Sequence, residues 1–95
     1  MKYRLRDGIV LAEVCGQPML VATGEALKYS RYMSLVNEDA AFYLELLKKP
    51  CSPEELALAG GGEFGADYEK ILPIVEQFLA SSERKGFLTR VDEDE

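Results

Sequence analysis

Histidine is missing from this chain of 95 residues. It is the usual general base near neutral pH, so its absence removes the ordinary starting point for acid–base catalysis. Carboxylates could do the same proton work, but no close pair of them stands out in an apolar setting. We expect no enzymatic activity and no catalytic residues. Cysteine is scarce as well. Cys15 and Cys51 stand far apart, form no CxxC pair and leave a zinc site short of its usual four ligands. No metal and no cofactor is expected, and the two cysteines read as free, half-buried thiols rather than a disulfide. No apolar run is long enough to span a bilayer, and the opening "MKYRLRDG" lacks the apolar stretch of a signal peptide. The expectation is a cytoplasmic protein with no membrane partner.

Basic charge is in short supply. The net charge is −6 and is unevenly spread. Residues 1–36 carry five basic and three acidic groups, a net of +2, whereas residues 37–95 carry six basic and fourteen acidic groups, a net of −8. A non-specific nucleic-acid binder needs a basic face to displace counterions, so the second part of the chain would repel phosphate and no nucleic-acid partner is expected. The final "VDEDE", about residues 91–95, reads as a solvated acidic tail.

What is present is a length and composition suited to one domain. With 47% hydrophobic and 29% charged residues, the chain can bury a modest core without staples. "GIVLAEV" and "PMLVAT" are short and rich in Val, Ile and Leu, with "CGQ" between them. This predicts an antiparallel hairpin over about 9–14 and 18–23, with Gly16 in its turn. "TGEALKYSR" reads as a turn and polar loop, and "YMSLV" as a third strand.

Asn37 is placed to cap a helix, because its side chain can accept a hydrogen bond from a first-turn amide. Glu38 and Asp39 follow, where negative charge suits the positive end of the helix dipole. Ala40, Tyr43, Leu44 and Leu47 then share one face, with Phe42 and Leu46 as a second apolar flank. Pro50 ends this helix. Ser52, Pro53 and Glu55 form a capping box that opens a second, short helix ending at glycines. Gly60, Gly62 and Gly65 formally satisfy G-x-G-x-x-G. The motif follows a helix and lies in no βαβ unit, so a flexible loop is expected.

The last helix is expected from about Asp67 to Lys85, with Ile71, Ile74, Val75 and Phe78 on its apolar face. Pro73 either kinks it or marks its first turn. Ser82 lies within that apolar arc, where a leucine is expected. It reads as a poorly packed spot or as the place where a ligand side chain enters. Gly86 is a natural stop, and Phe87 and Leu88 can fold back to the core. The element order is β-β-β-α-α-α. Three strands cannot bury both faces of a sheet, so the helices pack on one face. The expected fold is a small α+β domain of the winged-helix type.

The ordered set "VLAEVCGQPMLVATGEA", "LVNEDAAFYLELL", "SPEEL" and "VEQFLASSERKGFL" resembles the PqqD-like family, named for the D protein of pyrroloquinoline quinone biosynthesis and also called the RiPP recognition element. The likeness covers nearly the whole chain. The chain departs from the family pattern where it has "AGGGEFGAD" in place of a longer helical segment, and where it has Ser82 in place of leucine. The resemblance implies a non-catalytic peptide-binding chaperone. Such a domain holds the leader of a ribosomally made precursor peptide as an added strand and presents it to a modifying enzyme, often a radical SAM enzyme.

The positions matching that groove are Tyr32, Met33, Ser34, Leu35 and Val36 of the third strand, with Lys28 and Arg31 beside them. Leu72, Val75 and Leu79 stand on the last helix, although Val75, like Ile71 and Phe78, also reads as core. Lys28 and Arg31 read more readily as solvated loop charges than as peptide anchors, and Tyr32 and Met33 equally as core or as binding surface. Two other functions stay open: a winged-helix DNA-binding protein, with which the element order is compatible, and a scaffold that binds an enzyme without peptide. An open edge strand is compatible with a monomer or with a strand-exchanged dimer.

Overall fold

The computed structural model describes residues 1–91, so all but the first residue of the expected acidic tail lies outside the described residues. The elements run β1 (Lys2–Leu5), β2 (Ile9–Val14), β3 (Gln17–Ala22), a 3-10 helix (Gly24–Lys28), β4 (Met33–Leu35), α1 (Glu38–Leu46), α2 (Pro53–Phe64), α3 (Tyr68–Arg84) and β5 (Leu88–Val91). The architecture is α+β. A three-stranded antiparallel sheet, β2-β3-β4, and three helices form as the sequence suggests. A second sheet, β1-β5, does not follow from hydropathy or turn signals.

The hairpin forms where expected, with its second strand one residue earlier, at Gln17–Ala22. Its two-residue turn has φ 53° at Cys15 and 79° at Gly16. Two positive values in succession match the twist of the flanking strands. The turn leaves Cys15 exposed, not half-buried as expected. Leu20 and Ala22 of β3, with Ile9 of β2, point inward and are buried. The segment expected as a loop folds into the 3-10 helix, which buries Ala26.

Asn37 caps α1: its Oδ1 accepts a hydrogen bond from the Ala40 amide at 2.7 Å. The capping box of α2 is complete. Ser52 Oγ accepts from the Glu55 amide at 3.1 Å, and the Ser52 amide donates to Glu55 Oε1 at 2.9 Å. Hydrogen bonding from the Ser52 amide, and next from its hydroxyl, holds the Glu55 carboxyl below its ordinary pKa.

The expected glycine loop is instead helix. α2 continues through Gly60, Gly61 and Gly62 and stops at Gly65, where φ is 67°. Each helical glycine costs about 1 kcal/mol relative to alanine. At Gly60 the tertiary fold requires the small residue, because a Cβ there would collide with the Tyr43 hydroxyl and crowd Ile71.

α3 spans the expected range, with Pro73 exposed in its interior rather than in its first turn. Ile74 does not join the core and is 62% exposed. The buried arc is Ile71, Val75, Leu79 and Ser82. With Leu20, Leu44, Leu47, Leu56 and Leu88 it forms the centre of the core. Burying each of these aliphatic side chains contributes about 1.5–3 kcal/mol.

β1 and β5 close the fold. Leu5 pairs with Leu88 and both are buried. The other edge of β1 bonds to the α1–α2 connection, through reciprocal bonds between Tyr3 and Cys51 at 2.8 and 2.9 Å and from the Leu5 amide to the Leu47 carbonyl at 2.9 Å. No helix among the described residues is long and apolar enough to cross a membrane.

Candidate functional site

β4 pairs with β3 in the register Met19↔Leu35, Leu20↔Ser34 and Val21↔Met33, and among the described residues no strand pairs with its other side. The ladder continues one residue beyond each end. The Ala22 amide donates to the Tyr32 carbonyl at 2.8 Å, and the Val36 amide to the Pro18 carbonyl at 3.2 Å. Pro18 has no N–H to return the bond, and the Gln17 side-chain amide donates to the Val36 carbonyl instead, at 2.9 Å. In an antiparallel ladder, bonded and non-bonded pairs alternate. Tyr32, Ser34 and Val36 therefore turn their backbone groups toward β3. The N–H and C=O groups of Met33 and Leu35 point to the free edge.

Beside that edge runs a cleft of about 1060 Å³. β4 forms one wall, from Met33 to Val36. Ala40 and Leu44 of α1 contribute to its base, and Phe78, Ser81 and Ser82 come from α3. Leu27 to Arg31 and, from the far end of α3, Lys85 and Phe87 complete it. An extended backbone has unpaired partners on the strand and an open channel to lie in.

The turn after α3 fixes one end of the cleft. Gly86, at φ 86°, lets the chain reverse. The Phe87 amide donates to the Ser82 carbonyl at 3.0 Å and the Gly86 amide to the Glu83 carbonyl at 3.1 Å, which satisfies the last carbonyls of the helix. The Tyr29 carbonyl packs so closely on Gly86 that no Cβ fits between them. Arg6 ties both sides together: its guanidinium lies 4.0 Å over the Tyr29 ring, and its Nε donates to the Gly86 carbonyl at 3.1 Å. Farther along, Arg90 grips Glu83 with two bonds of 2.7 and 3.0 Å. That grip holds the Glu83 carboxyl below its ordinary pKa.

Lys28, Arg31, Met33, Ser34, Leu35 and Val36 all line this cleft. Tyr32 is exposed at its margin, and neither Tyr32 nor Met33 is core. The positions matched on the last helix need correction. Val75 and Leu79 are closed off in the core at 0% and 1% exposure, because the arc containing them turns inward, with α2 and β5 as the main neighbours of α3. Leu72 packs against the core and does not reach the cleft. The α3 wall lies farther along the helix, at Phe78, Ser81, Ser82 and Lys85. Of these, Ser82 is the polar residue in the apolar arc of the sequence. Nothing in the local sequence points to Lys85, Tyr29 or Phe87, which meet only through the chain reversal at Gly86.

A smaller hollow of about 260 Å³ lies at Tyr43, Phe64, Ile71 and Ile74. It explains where Ile74 goes: onto the rim of an aromatic cluster in which the Tyr43 and Phe64 ring centroids are 6.0 Å apart. Burial, and to a smaller extent the nearby Asp39 carboxylate, raise the pKa of the Tyr43 phenol.

Comparisons with protein-family models, with curated proteins and with solved structures find no match to this chain.

Proposed function

We propose that this protein is a non-catalytic, winged-helix-like peptide-binding domain. It takes up an extended segment, the leader of a ribosomally made precursor peptide, as a strand added to β4, and presents that peptide to a modifying enzyme such as a radical SAM enzyme. The observation that carries the reading is the free edge at Met33 and Leu35 running beside an open cleft. A partner strand satisfies the edge N–H and C=O groups, while the cleft receives alternate side chains. The ordered motifs that resemble the PqqD-like family support the peptide reading and the type of partner enzyme. The exposed acidic residues Glu69 and Glu76 on α3 argue against its use as a DNA-recognition helix. Without peptide, the same edge would let two copies pair with each other.

Titration of isotope-labelled protein with a candidate precursor leader tests the reading. The Met33 and Leu35 amides should shift first and gain protection from exchange, with Ser34 already protected in the free protein. Saturating leader that moves no amide in residues 32–36 would remove the proposal.

A further inference from the structure

The cleft has a charge that the chain as a whole does not. In a protein of net charge −6, the charged side chains lining it are Lys28, Arg31 and Lys85, and no carboxylate among the described residues joins them. Lys28 is shared with Glu25 at 2.8 Å. Arg31 and Lys85 make no ion pair among the described residues. The three cations also gather at one end. Lys28 and Arg31 flank Tyr29 and Lys85 precedes Gly86, and Tyr29 and Gly86 are in direct contact. At the other end of β4 stand Asn37 and the acidic first turn of α1, Glu38 and Asp39.

The strand geometry says which side chains of a docked segment meet this charge. Residues opposite Met33 and Leu35 project on the outer face of the sheet, beside Val10, Met19 and Val21. Residues between them project into the cleft. We propose that the segment this edge accepts is acidic at the end lying against Tyr29 and Gly86, with apolar side chains on its outer face. This rests on strand docking at β4 and adds to it the chemistry of the ligand. Because the cations are exposed, they select by modest, salt-sensitive attraction and set the direction in which the strand lies.

The test uses four fluorescein-labelled heptapeptides that share one alternating valine–threonine core. One carries two glutamates at the N-terminal end and one carries them at the C-terminal end. The others carry two glutamines or two lysines at the end that the better glutamate peptide identifies. Anisotropy titrations should show one glutamate peptide binding about three- to tenfold more tightly than the glutamine peptide, and the lysine peptide more weakly than both. The preference should shrink at 0.5 M salt, where the screening length is about 4 Å, and vanish in the R31Q/K85Q double variant. A thermal melt confirms that this variant folds, as both side chains are on the surface.

If all four peptides bind equally and shift the Met33 and Leu35 amides, the charge rule is wrong and strand docking stands. If the preference survives in the double variant, other residues set it and the inference is overturned. If an oligothymidylate displaces the glutamate peptide at equal concentration, the cations read phosphate and the inference is again overturned. If no peptide binds, docking at this edge fails and the charge rule with it.

Discussion

Proline placed at two adjacent positions of β4 should have opposite consequences. Ser34 faces β3, opposite Leu20, and its N–H belongs to the ladder. The backbone groups of Leu35 face the free edge, and the residue is 71% exposed. Ser34→Pro removes a donor from the ladder and leaves the carbonyl of the buried Leu20 unpaired, which costs about 1–3 kcal/mol. In a domain of this size, each kcal/mol lowers the melting temperature by about 4–8 °C. Leu35→Pro removes an N–H that points to water and imposes the same ring constraint on φ. The difference between the two variants therefore isolates the ladder bond. For binding the order reverses in meaning. Leu35→Pro deletes one main-chain bond to a docked strand and puts a ring in its path, so affinity should fall about tenfold, or about 1.4 kcal/mol. Melting followed by far-ultraviolet circular dichroism and anisotropy with the glutamate peptide measure the two effects. Equal destabilisation by both prolines would refute the assignment of edge groups. A Leu35→Pro protein that melts like wild type and binds peptide with unchanged affinity would refute docking at this edge.

Glycine substitutions should divide by environment. Gly86→Ala combines a strained φ of 86° with collision against the Tyr29 carbonyl, and should cost about 2 kcal/mol or more and about 10 °C in a thermal melt. Gly62→Ala lies in helix beside open space and should stabilise by up to about 1 kcal/mol in urea unfolding. The depressed pKa of Glu83 makes its bond to Arg90 a pH-dependent support. Its contribution is complete above the ordinary carboxylate value of about 4.3 and fades as pH falls through the lower folded value, so the urea midpoint of wild type should drop more between pH 5 and 3 than that of Glu83→Gln. Cys15 is exposed at a turn, whereas burial, followed by the Glu55 charge, raises the pKa of the Cys51 thiol. Iodoacetamide at pH 7.5 should alkylate Cys15 first, as mass spectrometry of the digested protein would show.

The two capped helices were legible because caps are local. Asn37 and Ser52 reach amides three residues away, and short-range geometry is enough to specify them. The hairpin was legible for the same reason, as a Cys15–Gly16 turn between two aliphatic runs. β1 and β5 were not. "KYRL" and "LTRV" carry charge and only four residues each, and they become strands because the reversal at Gly86 brings Leu88 against Leu5 across the whole chain. The helix through Gly60–Gly62 was missed because propensity disfavours glycine. The requirement for it comes from Tyr43, a residue on another helix.

The candidate site divides along the same line. The sequence by itself determined the third strand, its alternation and the cations Lys28 and Arg31, since each depends on residues near in the chain. Only the tertiary structure decided that β4 is an open edge, that Val75 and Leu79 face the core, and that Lys85 stands with Lys28 and Arg31 at one end of the cleft. Those facts depend on which face of α3 turns to the core and on where Tyr29 packs against Gly86. Such contacts are set by packing between segments more than fifty residues apart, and no local pattern encodes them.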